Sequence, residues 1–173
     1  PTNEQFEIVQ FHQSYGYEDF VHGIRPETDE QGQLRYELRD GVFKQLCQMA
    51  ETSDKKFVIL VDEINRGNLS RIFGELMLLL EYRDKEIALA YSAQSDSKFK
   101  IPENVYLIGT MNTTDRSLAQ IDYALRRRFY FYRLMPLVND EAPVLDSWLR
   151  REGLSEERRE YIINLFARLN AKL

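Results

Sequence analysis

Crosslinking and metal-ligating residues are scarce in this sequence. Its 173 residues contain one cysteine, so no internal disulfide can form, and only two histidines. Long apolar runs are also missing, since the longest ones, residues 57–61 and 76–80, are much too short to cross a bilayer. The first residues show no charged leader followed by an apolar segment. These absences favour a globular protein of a reducing compartment, with the cytoplasm as the expected location and no membrane partner.

The cysteine and the first histidine are both expected to be structural. Cys47 falls at an apolar position of a predicted helix, which is typical of a buried free thiol rather than of a reactive one. His12 lies in a predicted polar loop with no second histidine, cysteine or acid at ligand spacing, and a metal site needs several converging ligands. We therefore expect neither side chain to bind a metal or to take part in chemistry.

Acidic residues outnumber basic ones by a small margin. The net charge is −5, from 23 Lys and Arg against 28 Asp and Glu. A domain with this balance does not attract DNA or anionic lipid as a whole, so any contact with nucleic acid would be local or made by another domain. With 43% apolar residues, the chain can form one domain, or a little more, around a buried core.

The most informative stretch is residues 55–66, where five consecutive apolar residues precede Asp62 and Glu63. Such a run predicts a strand buried on both faces that ends in two carboxylates. Ligands of open parallel sheets bind beyond the carboxyl ends of the strands, where these acids would lie. Asp62 could hold Mg²⁺ near nucleotide phosphates through water, and Glu63 could polarise the attacking water. The alternative is an ordinary strand whose acids begin a turn.

Predicted strands and helices alternate along the chain, which is typical of an α/β fold with a mainly parallel sheet. Besides the strand at 57–62, strands are predicted at 6–11, 105–110 and 129–133, and helices at 18–23, 41–51 and 67–82. A further helix is expected to be capped by Asp115 or Ser117 and to end at 126–128, residues 25–39 are expected to form an exposed excursion or a hairpin, and residues 87–101 a short hairpin. Asp40 is expected to cap the helix at 41–51.

A linker at residues 135–137 is predicted to divide the chain into two domains, residues 1–135 and 136–173. The second domain is expected to consist of two helices, at 141–151 and 155–171, split by Gly153.

Two further groups are candidates for a site at the strand ends. Asn112 follows the strand at 105–110 and could hydrogen-bond a water or a terminal phosphate, although asparagine is also a common turn residue. Arg126, Arg127 and Arg128 end a predicted helix, where they complement its dipole. The functional alternative is an arginine finger, a guanidinium that reaches the triphosphate of a neighbouring subunit and stabilises the transition state.

Several motifs stand out when the chain is taken as a whole. They are Val-Gln-Phe-His-Gln-Ser-Tyr at 9–15 with Tyr-Glu-Asp-Phe at 17–20, Asp-Glu-Ile-Asn-Arg at 62–66 followed by Gly-Asn-Leu-Ser-Arg-Ile-Phe-Gly-Glu, Gly-Thr-Met-Asn-Thr-Thr-Asp-Arg-Ser-Leu at 109–118, and Asp-Tyr-Ala-Leu-Arg-Arg-Arg-Phe at 122–129. In this order they resemble the AAA+ motor domain of the McrB family, the GTP-hydrolysing subunits of modification-dependent DNA restriction systems. The resemblance extends from about Phe6 to Arg133.

The resemblance implies a fold and a set of site residues. The fold would be an incomplete AAA+ α/β core of the P-loop NTPase type, a mainly parallel sheet flanked by helices, followed by the start of a helical lid. Asp62 and Glu63 would be the Walker B acids, Asn112 the sensor-1 residue, and Arg126, Arg127 and Arg128 the arginine-finger region. Asp115 and Arg116, in the motif that follows Asn112, are expected near the nucleotide.

The resemblance also implies a substrate and partners. The substrate would be GTP or ATP with Mg²⁺, held through water by Asp62. The partners would be identical subunits in a ring, a McrC-like nuclease subunit, and DNA bound by other domains or by the assembled ring. Hydrolysis would drive DNA translocation or remodelling for the partner nuclease.

One element of the family pattern is missing from these residues. A phosphate-binding loop Gly-x-x-x-x-Gly-Lys-Ser/Thr should precede the first recognised strand, yet the sequence contains no Gly-Lys pair. The loop and the strand before it would lie at the centre of the implied 5-1-4-3-2 sheet. We expect the chain to be a piece of a longer protein and to be unable to turn over nucleotide alone. The alternatives are a non-catalytic scaffold of the same fold and an AAA+ ATPase of another branch that acts on protein.

Overall fold

The computed structural model describes residues 5–29, 31–92, 98–112, 126–134 and 143–170. The chain divides into two compact units, residues 1–130 and 131–173. In the first unit the strands are β1 (Phe6–Gln10), β2 (His22–Thr28), β3 (Leu34–Asp40), β4 (Phe57–Asp62) and β5 (Val105–Gly109), and the helices are α1 (Tyr17–Phe20), α2 (Val42–Glu51), α3 (Leu69–Phe73) and α4 (Leu76–Glu81). The second unit contributes α5 (Pro143–Arg151) and α6 (Glu156–Asn170).

Three parallel strands form the sheet on which the site is built. Their order is β1-β4-β5, with β4 in the centre. In the register of the sheet, Gln10 pairs with Asp62 and Val61 pairs with Gly109, so all three strands end at the same edge. This order matches three consecutive positions of the sheet that the family resemblance implies. The parallel sheet that the resemblance implies is therefore present in the strands described.

The two faces of the sheet are buried to different extents. On one face Phe57, Ile59, Val61 and Val105 are at most 5% exposed, and α2 packs against β4 and β5. On the other face Ile8 and Ile108 are about half exposed. The prediction that β4 is buried on both faces was wrong, because side chains alternate across a strand and only one face of this sheet is fully covered.

Helix α3 begins as predicted but ends earlier. The Asn68 side chain caps it by accepting a hydrogen bond from the backbone N–H of Arg71, at 3.1 Å. Gly74 then adopts φ +48°, a left-handed conformation that a helix interior does not contain, and the chain resumes as α4. The single helix expected at 67–82 is therefore two helices, although its apolar side chains Leu69, Ile72 and Leu76 are buried as the spacing predicted.

Asp40 does not cap α2, contrary to the prediction. The residue at the N-cap position is Gly41, and no side chain caps this helix terminus. A Cβ at Gly41 would lie 2.5 Å from the carbonyl carbon of Phe20, so the close approach of α1 to the start of α2 requires glycine there. The Asp40 carboxylate instead pairs with Lys44 at 2.7 Å and accepts a hydrogen bond from Gln48 at 2.7 Å.

The two stretches expected to pair as hairpins have different outcomes. Residues 25–39 belong to a regular antiparallel hairpin of β2 and β3, one of the two predicted alternatives. The hairpin expected at 87–101 is reduced, among the described residues, to one antiparallel bridge between Ile87 and Phe99. No strand forms at residues 129–133, because among the described residues no strand lies beside them to complete a hydrogen-bond ladder. The Phe129 side chain still packs against the core.

The described residues of the second unit form two helices, as predicted. Gly153 lies between them with φ +76°, in the left-handed region that commonly ends helices. Asp146 of α5 holds α6 through Arg159 Nε at 2.9 Å and also pairs with Arg150 of its own helix at 2.8 Å. The predicted boundary between the two domains, after residue 135, lies five residues beyond the division at residue 130. Within the described ranges, no helix is long and apolar enough to cross a membrane.

Candidate functional site

The Asp62 carboxylate lies at the end of the central strand and is bound from both sides. Gln10, its register partner on β1, donates a hydrogen bond from Nε2 to Oδ2 at 3.2 Å. Thr110, the first residue after β5, donates from its hydroxyl to Oδ1 at 2.6 Å. Two carboxylate oxygens offer about four acceptor positions, so two remain for water or a cation. The edge of the sheet therefore presents one oriented carboxylate.

Glu63 follows Asp62 in an unusual backbone conformation. Its φ of 51° and ψ of 45° lie in the left-handed region, which is sparsely populated by residues with a side chain. Ile64 holds the chain there, since its N–H donates to the carbonyl of Thr110 at 2.9 Å and its side chain is buried. Arg66 Nε lies 3.2 Å from Glu63 Oε2. Strain of this kind is often concentrated at functional positions, and here it turns Glu63 out of the line of β4.

Asn112 is near the same edge, two residues beyond Thr110. The Thr110 N–H donates to the carbonyl of Val61 at 2.9 Å, which carries the pairing of β4 and β5 one residue past the end of β5. Asn112 is exposed, and only Met111 separates it from the anchored Thr110. The structure thus brings the predicted acids and Asn112 to one end of the sheet. Asp115 and Arg116 lie outside the described residues.

The three candidate arginines differ sharply in their surroundings. The Arg128 side chain is only 8% exposed, and its guanidinium lies 2.7 Å from the Glu81 carboxylate. The Arg127 side chain is 57% exposed and lies 3.2 Å from the same carboxylate. Arg126 is exposed. An arginine finger has to extend from the surface to another subunit, so Arg126 and Arg127 have the required accessibility and Arg128 does not.

Whether Mg²⁺ can bind at this end of the sheet depends on the oxygen ligands that the protein offers there. Among the described residues no group of three or more His, Cys, Asp and Glu side chains could enclose a metal ion. Mg²⁺ does not need such an enclosure, since it retains several waters and binds one or two carboxylates together with substrate phosphates. Asp62 and Glu63 therefore fit a Mg²⁺ held through water beside a nucleotide, but not a metal site made by protein groups alone.

Several polar residues near the acids were not predicted from the sequence. In the sequence, Gln10 is one of the polar residues of a strand in which apolar and polar residues alternate, and Thr110 resembles an ordinary β-branched strand residue. Only the pairing of the strands shows that both contact Asp62. Asn65 is 9% exposed, and its Oδ1 has no hydrogen-bond partner among the described residues. Its position in the Asp-Glu-Ile-Asn-Arg motif was the available signal.

A second group of ionisable side chains is buried in the core of the first unit. Tyr17 donates a hydrogen bond to Glu75 at 2.6 Å, and burial followed by this hydrogen bond raises the pKa of Tyr17. His22 is fully buried with its Nδ1 3.3 Å from Lys44 Nζ, and its pKa is lowered by burial and by that cation. Cys47 is buried as predicted, and burial raises its pKa to about 12, so its thiol is unreactive. These groups are structural.

Comparison with known proteins places the chain in a family. The family described as AAA domain (dynein-related subfamily) matches residues 2–129. The type IV methyl-directed restriction enzyme EcoKMcrB subunit of Escherichia coli K12 is 48% identical in an alignment of 138 residues that covers 77% of this chain and 29% of that protein. The type II restriction enzyme BsuMI component YdiS of Bacillus subtilis 168 is 29% identical in an alignment of 113 residues that covers 56% of this chain and 32% of that protein.

The chain therefore spans about a third of the length of these curated relatives. A crystal structure of a proposed ATPase from Cytophaga hutchinsonii has a TM-score of 0.48 and 16% identity, covering 90% of this chain and 40% of the other. The assignment rests on the sequence matches, above all on the family match to residues 2–129. The chain is similar to the EcoKMcrB restriction subunit, and by the family match it belongs to the AAA domain family, dynein-related subfamily.

Proposed function

We propose that the full-length protein is a McrB-like AAA+ nucleoside triphosphatase that hydrolyses GTP, or ATP, in a DNA restriction system. The observation that supports this most is the end of β4, where Asp62 is held by the neighbouring strands and Glu63 is turned out of the strand line. Two adjacent carboxylates at the carboxyl end of a central parallel strand suit a metal-dependent attack of water on a phosphate. Family membership and the McrB likeness support the same reaction class.

Each residue of the site has a role in this proposal. Asp62 accepts hydrogen bonds from metal-bound water, and the bound Mg²⁺ supplies positive charge to the phosphates. Glu63 accepts a proton from the water whose oxygen attacks the γ-phosphorus, while the bond to the β,γ-bridging oxygen breaks and nucleoside diphosphate leaves. Asn112 orients that water or a γ-phosphate oxygen. Asp115 and Arg116 follow in the same segment and are proposed to contact the nucleotide.

The arginine finger is proposed to come from Arg126 or Arg127 of an adjacent subunit in a ring. Both side chains are on the surface, whereas Arg128 is buried in an ion pair with Glu81. A guanidinium brought to the γ-phosphate neutralises charge that develops in the transition state. The finger would also make hydrolysis depend on assembly, because no subunit would contain a complete site.

The proposed partners are a McrC-like nuclease subunit and DNA. The likeness to a restriction enzyme subunit supports both. The net charge of −5 indicates that these 173 residues are not the main DNA-binding surface, so DNA would be held by other domains or by the assembled ring. The proposed location is the cytoplasm, because work on DNA would be done there and a free thiol such as Cys47 stays reduced there.

The test is release of phosphate from GTP and ATP with and without Mg²⁺, measured for the full-length gene product and for this chain alone. The 173 residues contain no phosphate-loop Gly-Lys pair, so we expect hydrolysis only in the full-length protein. The preferred nucleotide follows from the same assay. Inactivity of a folded, ring-forming full-length protein toward both nucleotides, with nuclease partner and DNA present, would favour a non-catalytic scaffold.

A further inference from the structure

The inference concerns the two hydrogen bonds to Asp62 and rests on the proposed function. The donors come from different strands, Gln10 at the end of β1 and Thr110 just after β5, and Asp62 lies between them at the end of β4. Each donor binds a different oxygen, Gln10 to Oδ2 at 3.2 Å and Thr110 to Oδ1 at 2.6 Å. The carboxylate is therefore fixed from both sides of the strand that carries it.

The backbone around both donors is anchored independently of their side chains. Beside Gln10, the N–H of Phe11 donates to the carbonyl of Asp62 at 2.9 Å. Thr110 donates its N–H to Val61 and accepts from the N–H of Ile64, both at 2.9 Å. The two side chains thus begin from fixed points, and their contacts with Asp62 are not needed to hold the strands together.

The exposure of the donors argues against a mainly structural role. Both Gln10 and Thr110 are exposed, and water competes for hydrogen bonds at such positions, so these bonds add little to folding. Their effect is instead on the direction of the carboxylate. The terminal torsion of aspartate is broad, so a carboxylate without side-chain partners samples a wide range of orientations about it. Two donors on opposite oxygens select one orientation and leave a further acceptor position on each oxygen.

We propose that Gln10 and Thr110 are positioning residues, which orient the Asp62 carboxylate toward the water shell of the nucleotide-bound divalent cation. Neither residue needs to touch the nucleotide. Partners of this kind, which orient a group that binds a metal, typically change metal affinity by about 10–100-fold when removed. Because Asp62 acts through water and its donors are exposed, we expect the lower end, about 10-fold, for Thr110→Val. The longer bond predicts a smaller effect for Gln10→Leu.

The variants are chosen to separate orientation from folding. Thr110→Val keeps the shape of threonine and removes its hydroxyl, whereas Thr110→Ser keeps the hydroxyl and should restore most of the affinity. Gln5→Leu is a matched control on the same side of the sheet, because Gln5 donates its amide to the carbonyl of Lys56 at the opposite end of the strands. Urea unfolding of each variant tests whether the fold is retained, and the Gln10 and Thr110 variants provide independent tests if one of them unfolds.

The experiment measures Mn²⁺ binding to the full-length protein with a non-hydrolysable GTP or ATP analogue, by the loss of the free Mn²⁺ electron paramagnetic resonance signal. The Mg²⁺ concentration for half-maximal hydrolysis is measured in parallel. We expect weaker cation binding for Thr110→Val and Gln10→Leu, wild-type binding for Gln5→Leu, and a rise in the Mg²⁺ requirement larger than any fall in kcat at saturating Mg²⁺. Unchanged Mn²⁺ affinity in both folded variants would overturn the inference.

Asp62→Asn separates this inference from the function on which it rests. If Asp62→Asn weakens Mn²⁺ binding while Thr110→Val and Gln10→Leu do not, the positioning role fails and the proposed role of Asp62 stands. If Asp62→Asn itself leaves Mn²⁺ binding and hydrolysis unchanged, the proposed metal role of this strand end fails, and the positioning role fails with it.

Discussion

Removing the Asn104 side chain should weaken the register on which the whole site depends. The Asn104 amide nitrogen donates to the carbonyls of Ala50, Ser53 and Lys55, at 3.0, 2.8 and 2.8 Å. Its own carbonyl accepts from the N–H of Phe57 at 2.9 Å. These contacts join the end of α2 and the start of β4 to the start of β5. At the other end of the same strands, that alignment places Asp62 beside Thr110.

The expected cost follows from the number of hydrogens on the amide. An NH₂ group has two, so at most two of the three contacts are full hydrogen bonds at any moment. Each intramolecular hydrogen bond contributes about 0.5–1.5 kcal/mol net, which gives about 1–3 kcal/mol for Asn104→Ala. Asn104→Asp should cost at least as much, because it keeps the shape but turns an acceptor toward carbonyl oxygens.

Urea unfolding of this chain, followed by circular dichroism, measures the effect directly. The midpoint should fall while the m-value stays constant, since the change removes contacts without altering the surface exposed on unfolding. Glu103→Ala, at the exposed neighbouring position, is the matched control and should stay within about 0.5 kcal/mol of the parent. A change below that limit for Asn104→Ala would refute the claim that this amide joins the two strands.

Three further predictions test other parts of the structure. In the full-length protein, Arg126→Ala or Arg127→Ala subunits should be inactive alone, and mixing them with Glu63→Gln subunits should restore part of the hydrolysis. Arg128→Ala should chiefly lower stability, because it removes the ion pair with Glu81. Absence of rescue with both exposed arginine variants would exclude a finger from this region. Because burial raises the Cys47 pKa from 9.0 to about 12, the unfolded chain loses the thiol proton first. The free energy of unfolding should therefore fall as pH rises from about 9 toward 12, by up to about 1.4 kcal/mol per pH unit from this group, and Cys47→Ala should flatten that slope in urea titrations. Gly109→Ala would place a Cβ 2.8 Å from Ile64 Cδ1, so we expect it to lower the free energy of unfolding by about 1–3 kcal/mol. The additional substitution Ile64→Val should partly relieve this loss. A Gly109→Ala variant as stable as the parent would contradict the packing described.

The sequence predicts those elements whose determinants are local. The five apolar residues before Asp62 identify β4, and helical spacing identifies α2 and the buried side chains of α3 and α4. The break at Gly74 was missed, because apolar spacing continues across it and only the backbone shows the left-handed turn. The strand at 129–133 was wrong for a different reason, since a strand forms only where a neighbour completes its hydrogen bonds.

The site was predictable only in part, because its chemistry depends on which strands are neighbours. Adjacent acids at a strand end are visible in the sequence, so Asp62 and Glu63 could be named as candidates, although the same dipeptide also fits an ordinary turn. Gln10 lies 52 residues from Asp62 along the chain, and its contact with Asp62 follows only from the pairing of β1 with β4. Arg128 cannot be distinguished from Arg126 in a run of three arginines until burial beside Glu81 is seen.

The central claim is that Glu63 activates water for nucleotide hydrolysis, and Glu63→Gln in the full-length protein tests it most directly. The amide keeps the size of the side chain but cannot take a proton. Nucleotide affinity, measured with a fluorescent GTP or ATP analogue, should stay near the parent value while turnover falls about a hundredfold or more. Arg66→Ala removes the cation beside Glu63 and checks that loss of charge pairing alone does not explain the result. Normal turnover in folded, nucleotide-bound Glu63→Gln would contradict the account.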